Sequence, residues 1–396
     1  MVVRILGLII GVLGIAFTVH RASSAEGDLR HTEVFVSGAD GYNTYRIPSL
    51  IVSKQGTLLA FCEGRKKSKS DTGDIDLLLK RSTDGGQTWS KQQVVWDDGE
   101  NTCGNPCPVV DEKTGAIILL LTRNDGRDKE SAIKMKQGRD TRTVWICRSE
   151  EGGQSWSRPM DITKSTKSPD WGWYATGPGV GIQIKQGPLR GRLVIPCDHT
   201  YDDPNGNLRG MPVEYGAHAI YSDDHGQTWK YSASIRPKVN ECQVVELADG
   251  KGTLLMDMRS YFDRRRRTYS LSSDGGATWT EPRDNEDLIE PVCQASILRY
   301  TWPDDGGKSR ILFSNPADEK KRQNMTVRLS YDEGKTWPVK RVLHERDAAY
   351  SCLAVLPGGD IGCLYERGET NASEKITFAR FSLNWLSDGK DSFKAK

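Results

Sequence analysis

An excess of charge of either sign is missing from this sequence: 55 lysines and arginines face 53 aspartates and glutamates, leaving a formal net charge of +2. No global field therefore draws the protein to nucleic acid or to a membrane surface, and recognition of any anion has to be local. The nine cysteines include no C-x-x-C pair and no Cys/His cluster at zinc spacing. That excludes a zinc module and a dense disulfide framework. Most are expected to be buried free thiols. Cys103 and Cys107 are the exception, since a tight Gly104-Asn105-Pro106 loop would bring their Cβ atoms together in an oxidising compartment. With six histidines and no serine in a G-x-S-x-G elbow, a hydrolase triad of that kind is excluded. Asp198-His199 and His218 are accordingly read as structural or rim residues. Long helical periodicity is lacking as well.

The longest apolar run lies near the N-terminus. Arg4 precedes residues 5–19, and the small residues Ala22, Ser23, Ser24 and Ala25 follow, which is the order of a secretory signal peptide. Residues 1–25 are expected to be removed after Ala25, placing the protein outside the cell or in a periplasm. An uncleaved anchor is the alternative, but the run is shorter than the ~20 apolar residues of a spanning helix. Gly7, Gly11 and Gly14 weaken it further. No stable membrane span is expected after cleavage, and residues 26–396 are expected to form a single domain.

Beyond that segment, short runs rich in β-branched and aromatic residues keep ending in glycine and aspartate turns. Residues 57–62, 75–80, 116–121, 143–147, 192–197, 253–258, 310–314 and 376–381 are examples. Many are too apolar for one-sided strands and suit sheets packed face to face. The reading is all-β.

One motif recurs: Ser82-Thr-Asp84-Gly-Gly86-Gln-Thr88-Trp89 returns as Ser149 to Trp156, Ser222 to Trp229, Ser272 to Trp279 and Ser330 to Trp337, five copies of S-x-D-x-G-x-T-W. Aspartate and the hydroxyls bond turn amides, glycine permits a positive φ, and tryptophan packs between neighbouring sheets. Glu151 and Ser155 replace the aspartate and threonine in the second copy, so that turn is expected to be looser. Copies roughly 50–70 residues apart fit four-stranded units that bury their faces only by stacking around an axis. The repeats are structural and occur in propellers that only bind, so function has to come from other residues.

Those residues begin at Tyr45-Arg46-Ile47-Pro48-Ser49-Leu50. They continue through Glu63-Gly-Arg65, Asp71-Thr-Gly-Asp74-Ile-Asp76, Asn240-Glu241, Met258-Arg259-Ser260, Ser314-Asn-Pro316 with Arg322, Tyr350-Ser351 and Leu364-Tyr365-Glu366. Taken in this order with the five fasteners, the sequence resembles the exo-sialidase family of bacteria and animals from about Phe35 to Phe381. The resemblance implies a six-bladed β-propeller with four-stranded antiparallel blades, one of them without a fastener, and a site on the axis. It implies an exo-α-sialidase acting on terminal sialic acid of glycoproteins, glycolipids or oligosaccharides, and it implies no cofactor and no metal.

By the same resemblance Arg46, Arg259 and Arg322 clamp the substrate carboxylate, and Glu366 steadies the first of them. Lys320, Lys321 and Arg328 lie near Arg322, which is preferred for its distance from Thr326-Val-Arg328. A guanidinium offers paired donors to a carboxylate and stays charged at any working pH. The nucleophile implied is Tyr350, paired with Glu241. Sialic acid carries its carboxylate on the anomeric carbon, so a carboxylate nucleophile would approach against like charge, whereas a neutral phenol does not. With an ordinary pKa near ~10, the phenol needs a carboxylate beside it to accept its proton. Asp71 matches the acid/base, with Asp74 and Asp76 as near competitors; a covalent tyrosyl intermediate then gives net retention. Arg65 is placed beside the sugar's hydroxyls, the alternative being a solvated loop charge next to Lys66 and Lys67.

Other features are read more plainly. The run Arg264 to Arg267 is expected to be a solvated turn. The segment Trp171-Gly-Trp173-Tyr174 is balanced between pocket wall and sheet packing. A trans-sialidase would use the same catalytic residues, and a binding-only propeller would keep the fasteners while losing Tyr350, Glu241 or a clamp arginine.

Overall fold

Each of the short apolar runs lies on a β-strand in the structure, a computed structural model that describes residues 29–305 and 307–393. The expected signal peptide, residues 1–25, lies outside the described residues. Thr44–Val52, Leu58–Arg65, Ile75–Ser82 and Gln93–Trp96 pair in succession, each antiparallel to the next. Thr102–Val110, Ile117–Asn124, Thr143–Ser149 and Met160–Asp161 repeat that pattern. Trp171–Thr176, with Ile182–Gln183 beyond it, then pairs with Leu193–Asp202, followed by Val213–Ser222 and Lys230–Tyr231. Val239–Glu246, Leu254–Ser260, Arg266–Ser272 and Arg283–Ile289 come next. Ser296–Thr301, Arg310–Pro316 and Gln323–Ser330 lead into the first half of the long strand Val339–Val355. Its second half turns to pair with Ile361–Arg367, which is followed by Lys375–Phe381 and finally by the N-terminal strand Arg30–Val36.

The inner strands of the sets are deeply buried and most of the last strands are not. Leu58–Arg65 is buried throughout, whereas Met160–Asp161 and Lys230–Tyr231 are exposed. Apolar inner strands are covered on both faces, and short polar strands end the sheets without offering a sticky edge. The first strands have the opposite problem, because among the described residues one edge of each, save for a single parallel bridge between Ile75 and Thr102, lacks a neighbouring strand. Side chains occupy it: Gln294 bonds the Ser351 N–H (3.0 Å) and carbonyl (3.0 Å), Gln243 bonds the Pro178 carbonyl (3.0 Å), and Ser296 accepts from the Leu353 N–H (3.0 Å). Buried backbone groups that pair with no strand are thus satisfied, and the first strands are knit to one another.

The fasteners sit between the third and fourth strands of their sets. Asp84 accepts from Ser82 Oγ (2.8 Å), from the Gln87 and Thr88 amides (both 3.0 Å) and from Thr88 Oγ1 (2.6 Å). Gly86 has a φ of +88°, and a Cβ there would lie 2.0 Å from the Phe378 ring. Trp89 meets that same ring edge-on, 5.5 Å between centroids, and so joins two sheets. In the second copy Ser155 Oγ reaches Glu151 Oε2 at 2.8 Å. No backbone amide of that turn bonds the Glu151 carboxylate among the described residues, so the turn is looser, as the extra methylene predicts.

All nine cysteines are buried and unpaired, Cys103 and Cys107 included. The tight loop expected between these two is instead part of the strand Thr102–Val110, with a bulge between Gly104 and Cys107. The two side chains enter different apolar clusters, beside Leu121 and beside Val109 respectively. The Arg264–Arg267 expectation needs a second correction. Arg264 and Arg265 pair at the surface with Asp284 and Asp263, but Arg267 is fully buried, joined to Asp257 and to Glu290 (2.8 Å). Arg267 points inward where Arg266, the residue before it, turns out to pair with Glu319. No helix among the described residues is long and apolar enough to cross a membrane.

Candidate active site

Where the first strands converge, a cavity of about 190 Å³ is lined by Arg46, Arg65, Asp71, Glu241, Arg259, Arg322 and Tyr350. These residues come from distant parts of the chain, and a shared local device aims several of them. The register of the first strands slips between Arg46 and Ser49, Gly104 and Cys107, Trp171 and Tyr174, Val239 and Cys242, and Ala348 and Ser351. Each slip carries a residue of the cavity wall: Ile47, Asn105, Trp173, Glu241 and Tyr350. A bulge breaks the alternation of the strand and turns a side chain that would enter the sheet packing toward the cavity. At Ile47 the backbone reaches φ +61°, which a β-branched residue adopts only under constraint.

Glu366 supplies that constraint. It is wholly buried behind the cavity, and its Oε1 accepts from Arg46 Nε at 2.7 Å and from the Ile47 amide at 2.9 Å. Its Oε2 accepts from the Tyr350 amide at 3.2 Å. One carboxylate thus sets the first arginine and the tyrosine backbone together, and charge-assisted bonds of this kind are the stronger ones.

The Tyr350 hydroxyl donates to Glu241 Oε1 in a short hydrogen bond. The other oxygen of Glu241 pairs with Arg259 Nη1 at 2.6 Å, and that nitrogen lies 3.4 Å from the Tyr350 hydroxyl. Arg46 and Arg322 flank the phenol ring, 5.0 and 5.8 Å from its centroid. Arg322 is fixed by donation to the Val292 carbonyl at 3.0 Å. Burial, and then Glu241, hold the phenol well above the usual tyrosine range, against the opposing pull of the three arginines. The ring therefore keeps its proton, with an acceptor already bonded to it. For Arg259, burial works against the charge, but Glu241 together with Tyr261 and Tyr350 outweighs it, so the guanidinium stays firmly protonated.

Asp71 lies on the loop after Leu58–Arg65 and pairs with Arg65 Nη2 at 2.8 Å. Its side chain is 56% exposed while that of Arg65 is 2% exposed. Arg65 is therefore a buried wall residue, also bonded to Glu63 (2.6 Å) and to the Lys69 carbonyl (2.6 Å), and not a solvated loop charge. Burial raises the Asp71 carboxyl, but Arg65 and then Arg46 outweigh it and hold it below the usual range. The competitors are engaged elsewhere: Asp74 and Asp76 pair with Lys66 at 3.0 and 3.1 Å, and neither lines the cavity.

All eight residues singled out in the sequence thus meet at one place, seven in the wall and Glu366 behind it. The wall holds more. Trp173 belongs to it while Trp171 stacks on His199 at 3.7 Å, so the aromatic segment divides between pocket and packing. Asp198 is in the wall, and His199 and His218 lie behind it. Arg142, buried under the Trp173 ring at 3.9 Å and bonded to Asn105 and Thr122, carried no sequence signal at all. Asn240 was within reach, being the residue before Glu241.

Strand sets joined by fastener turns, with a buried arginine-rich cavity at their meeting point, define the class, and residues 56–363 match the BNR repeat-like domain. The chain belongs to the sialidase family. It is 34% identical to a sialidase of Micromonospora viridifaciens over 91% of its length, and 31% identical to sialidase-3 of Rattus norvegicus over 86%. It spans 55% of the Micromonospora protein and 91% of the rat one. Among solved structures, a Hadza microbial sialidase superposes with a TM-score of 0.78 at 32% identity, covering 90% of this chain and 69% of that one.

Proposed function

We propose that the protein is an exo-α-sialidase that releases terminal sialic acid from glycoproteins, glycolipids or oligosaccharides with retention. The observation that carries this reading is the Tyr350–Glu241 hydrogen bond enclosed by Arg46, Arg259 and Arg322. The three guanidiniums bind the carboxylate and bring the anomeric carbon over the phenol oxygen. As that oxygen attacks, its proton passes to Glu241, and Arg259 steadies the resulting charge. Asp71 protonates the departing glycosidic oxygen. Leaving Arg65, beside arginines whose charge the bound carboxylate offsets, returns its carboxyl toward the ordinary range and readies it for this role. Asp71 then takes a proton from the water that cleaves the tyrosyl intermediate.

The strand sets read as six blades of a propeller, the last closed by Arg30–Val36, with residues 26–396 as one domain that acts after export. The sialidase reading is tested with a fluorogenic α-sialoside. Tyr350→Phe should lower turnover by about a thousandfold or more with the fold intact. A wild-type protein inactive on every sialoside linkage, and active on uncharged glycosides, would overturn it.

A further inference from the structure

Two of the three arginines that enclose Tyr350 are tied to a buried group that does not reach the cavity. Arg267, Asp257 and Glu290 are 0%, 2% and 0% exposed, and none of them lines the cavity. Arg267 Nε and Nη2 donate to the Asp257 carboxylate, while its Nη1 donates to Glu290 Oε2 at 2.8 Å and to the Cys293 carbonyl at 2.7 Å. One nitrogen thus grips both ends of the segment Glu290-Pro291-Val292-Cys293. Burying ions is costly, and an apolar cluster in their place is often as stable. What the guanidinium adds is direction, because its donors form a rigid planar fork.

The gripped segment is strained at its centre. Val292 has φ +56°, which a β-branched residue adopts only where its surroundings impose it. Pro291 restricts the backbone before it, and the Glu290 amide donates to the Arg265 carbonyl at 3.1 Å. The Val292 carbonyl, so placed, accepts from Arg322 Nη2 at 3.0 Å. Glu290 also acts in the other direction: its Oε1 accepts from the Ser260 amide at 2.8 Å, and Ser260 follows Arg259 at the end of Leu254–Ser260. Arg46 has a support of its own in Glu366. The arginines therefore rest on two buried supports, Glu366 for the first and Arg267 with Glu290 for the other two.

We propose that Arg267 is a positioning residue for recognition of the substrate carboxylate. Through Glu290 and the Cys293 carbonyl it holds Val292 in the conformation that fixes Arg322, and through Glu290 it fixes the backbone beside Arg259. The proposal rests on the sialidase reading. Misplacing a positioned group by about 1 Å can cost about a hundredfold in rate, so the effect is measurable without any contact between Arg267 and substrate.

The experiment compares kcat, KM and thermal midpoint on a fluorogenic α-sialoside for wild type, Val292→Gly and Arg267→Lys, with Val292→Gly repeated in Arg322→Ala and Asp71→Ala backgrounds. Glycine accepts a positive φ but no longer enforces it. Val292→Gly should keep its midpoint within about 3 °C and lose roughly 10-fold in kcat/KM, mostly in KM. In Arg322→Ala the same change should cost less than about twofold, because the group that the carbonyl fixes is gone, whereas in Asp71→Ala the loss should stay close to 10-fold. Arg267→Lys keeps the charge without the fork and should lose roughly 10- to 100-fold, more than Val292→Gly, because Arg259 is released as well. If Arg267→Lys does not fold, Val292→Gly decides. An unchanged kcat/KM, a loss confined to kcat, a loss that persists undiminished in Arg322→Ala, or a loss that only follows a falling midpoint would each overturn the proposal. Absence of wild-type turnover on every sialoside instead removes the sialidase reading, and the Arg267 proposal with it.

Discussion

His199 and His218 form a chain of hydrogen bonds whose direction the geometry fixes. The Tyr174 hydroxyl donates to the Thr166 carbonyl at 3.2 Å and so accepts from His218 Nε2 at 3.1 Å. His218 Nδ1 is then the acceptor of the 3.0 Å contact with His199 Nδ1, and His199 Nε2 accepts from Ser234 Oγ at 2.9 Å. Both rings are neutral in this arrangement. Burial alone pushes His218 down from 6.5 to about 3, whereas in the unfolded chain it titrates at its ordinary value. As the pH falls below about 6.5 the unfolded state takes up a proton that the native state refuses, so stability declines on acidification until the native ring titrates. Calorimetric midpoints should fall between pH 7 and pH 4.5, and His218→Gln should flatten that fall. An unchanged slope in the variant would show that other groups set it. Because these rings stand behind Asp198, they belong to the support of the cavity and not to its surface. The sequence read Asp198, His199 and His218 alike as structural or rim residues, and the structure divides them, with Asp198 in the cavity wall and the two histidines outside it. Adjacent residues on a strand point to opposite faces, and only the paired structure says which face is the cavity.

The fastener is the unit at the level of elements, and the second copy shows what its aspartate does. Where Asp84 binds two amides and two hydroxyls, the longer Glu151 binds only the Ser155 hydroxyl. Glu151→Asp should restore the amide bonds and raise stability by a few tenths to about 1 kcal/mol, read as a higher urea midpoint at constant slope. A lower midpoint would mean that the surrounding turn has adapted to glutamate. The bulges are the second device at this scale. They were invisible in the sequence because a slipped register leaves no compositional mark. Asn105 is the partial exception, its φ of +54° being one that asparagine tolerates better than most residues. The same slip refuted the Cys103–Cys107 pair, since one inserted residue changes which face a side chain enters.

For the molecule as a whole, the number of fasteners follows from how the chain closes. A fastener caps the hairpin between third and fourth strands, and the last set has no such hairpin, because its fourth strand, Arg30–Val36, arrives from the other end of the chain. Five copies are therefore what this topology calls for. Phe35 and Val34 are 1% and 4% exposed, so that strand is part of the core. A chain lacking residues 30–36 should lose on the order of 10 °C in thermal midpoint and unfold less cooperatively; an unchanged midpoint would mean that the closing strand adds little. The repeats, the strand positions and the eight residues that meet at the cavity were legible in the sequence because each rests on a local pattern or on a motif with fixed neighbours. The tertiary structure alone decided that Glu366 sets Arg46 and Tyr350 together, that Arg267 is buried, and that Asp198, Asn240 and Arg142 share a wall. Those relations join residues tens to hundreds of positions apart, and they depend on register and facing, which a linear pattern does not encode.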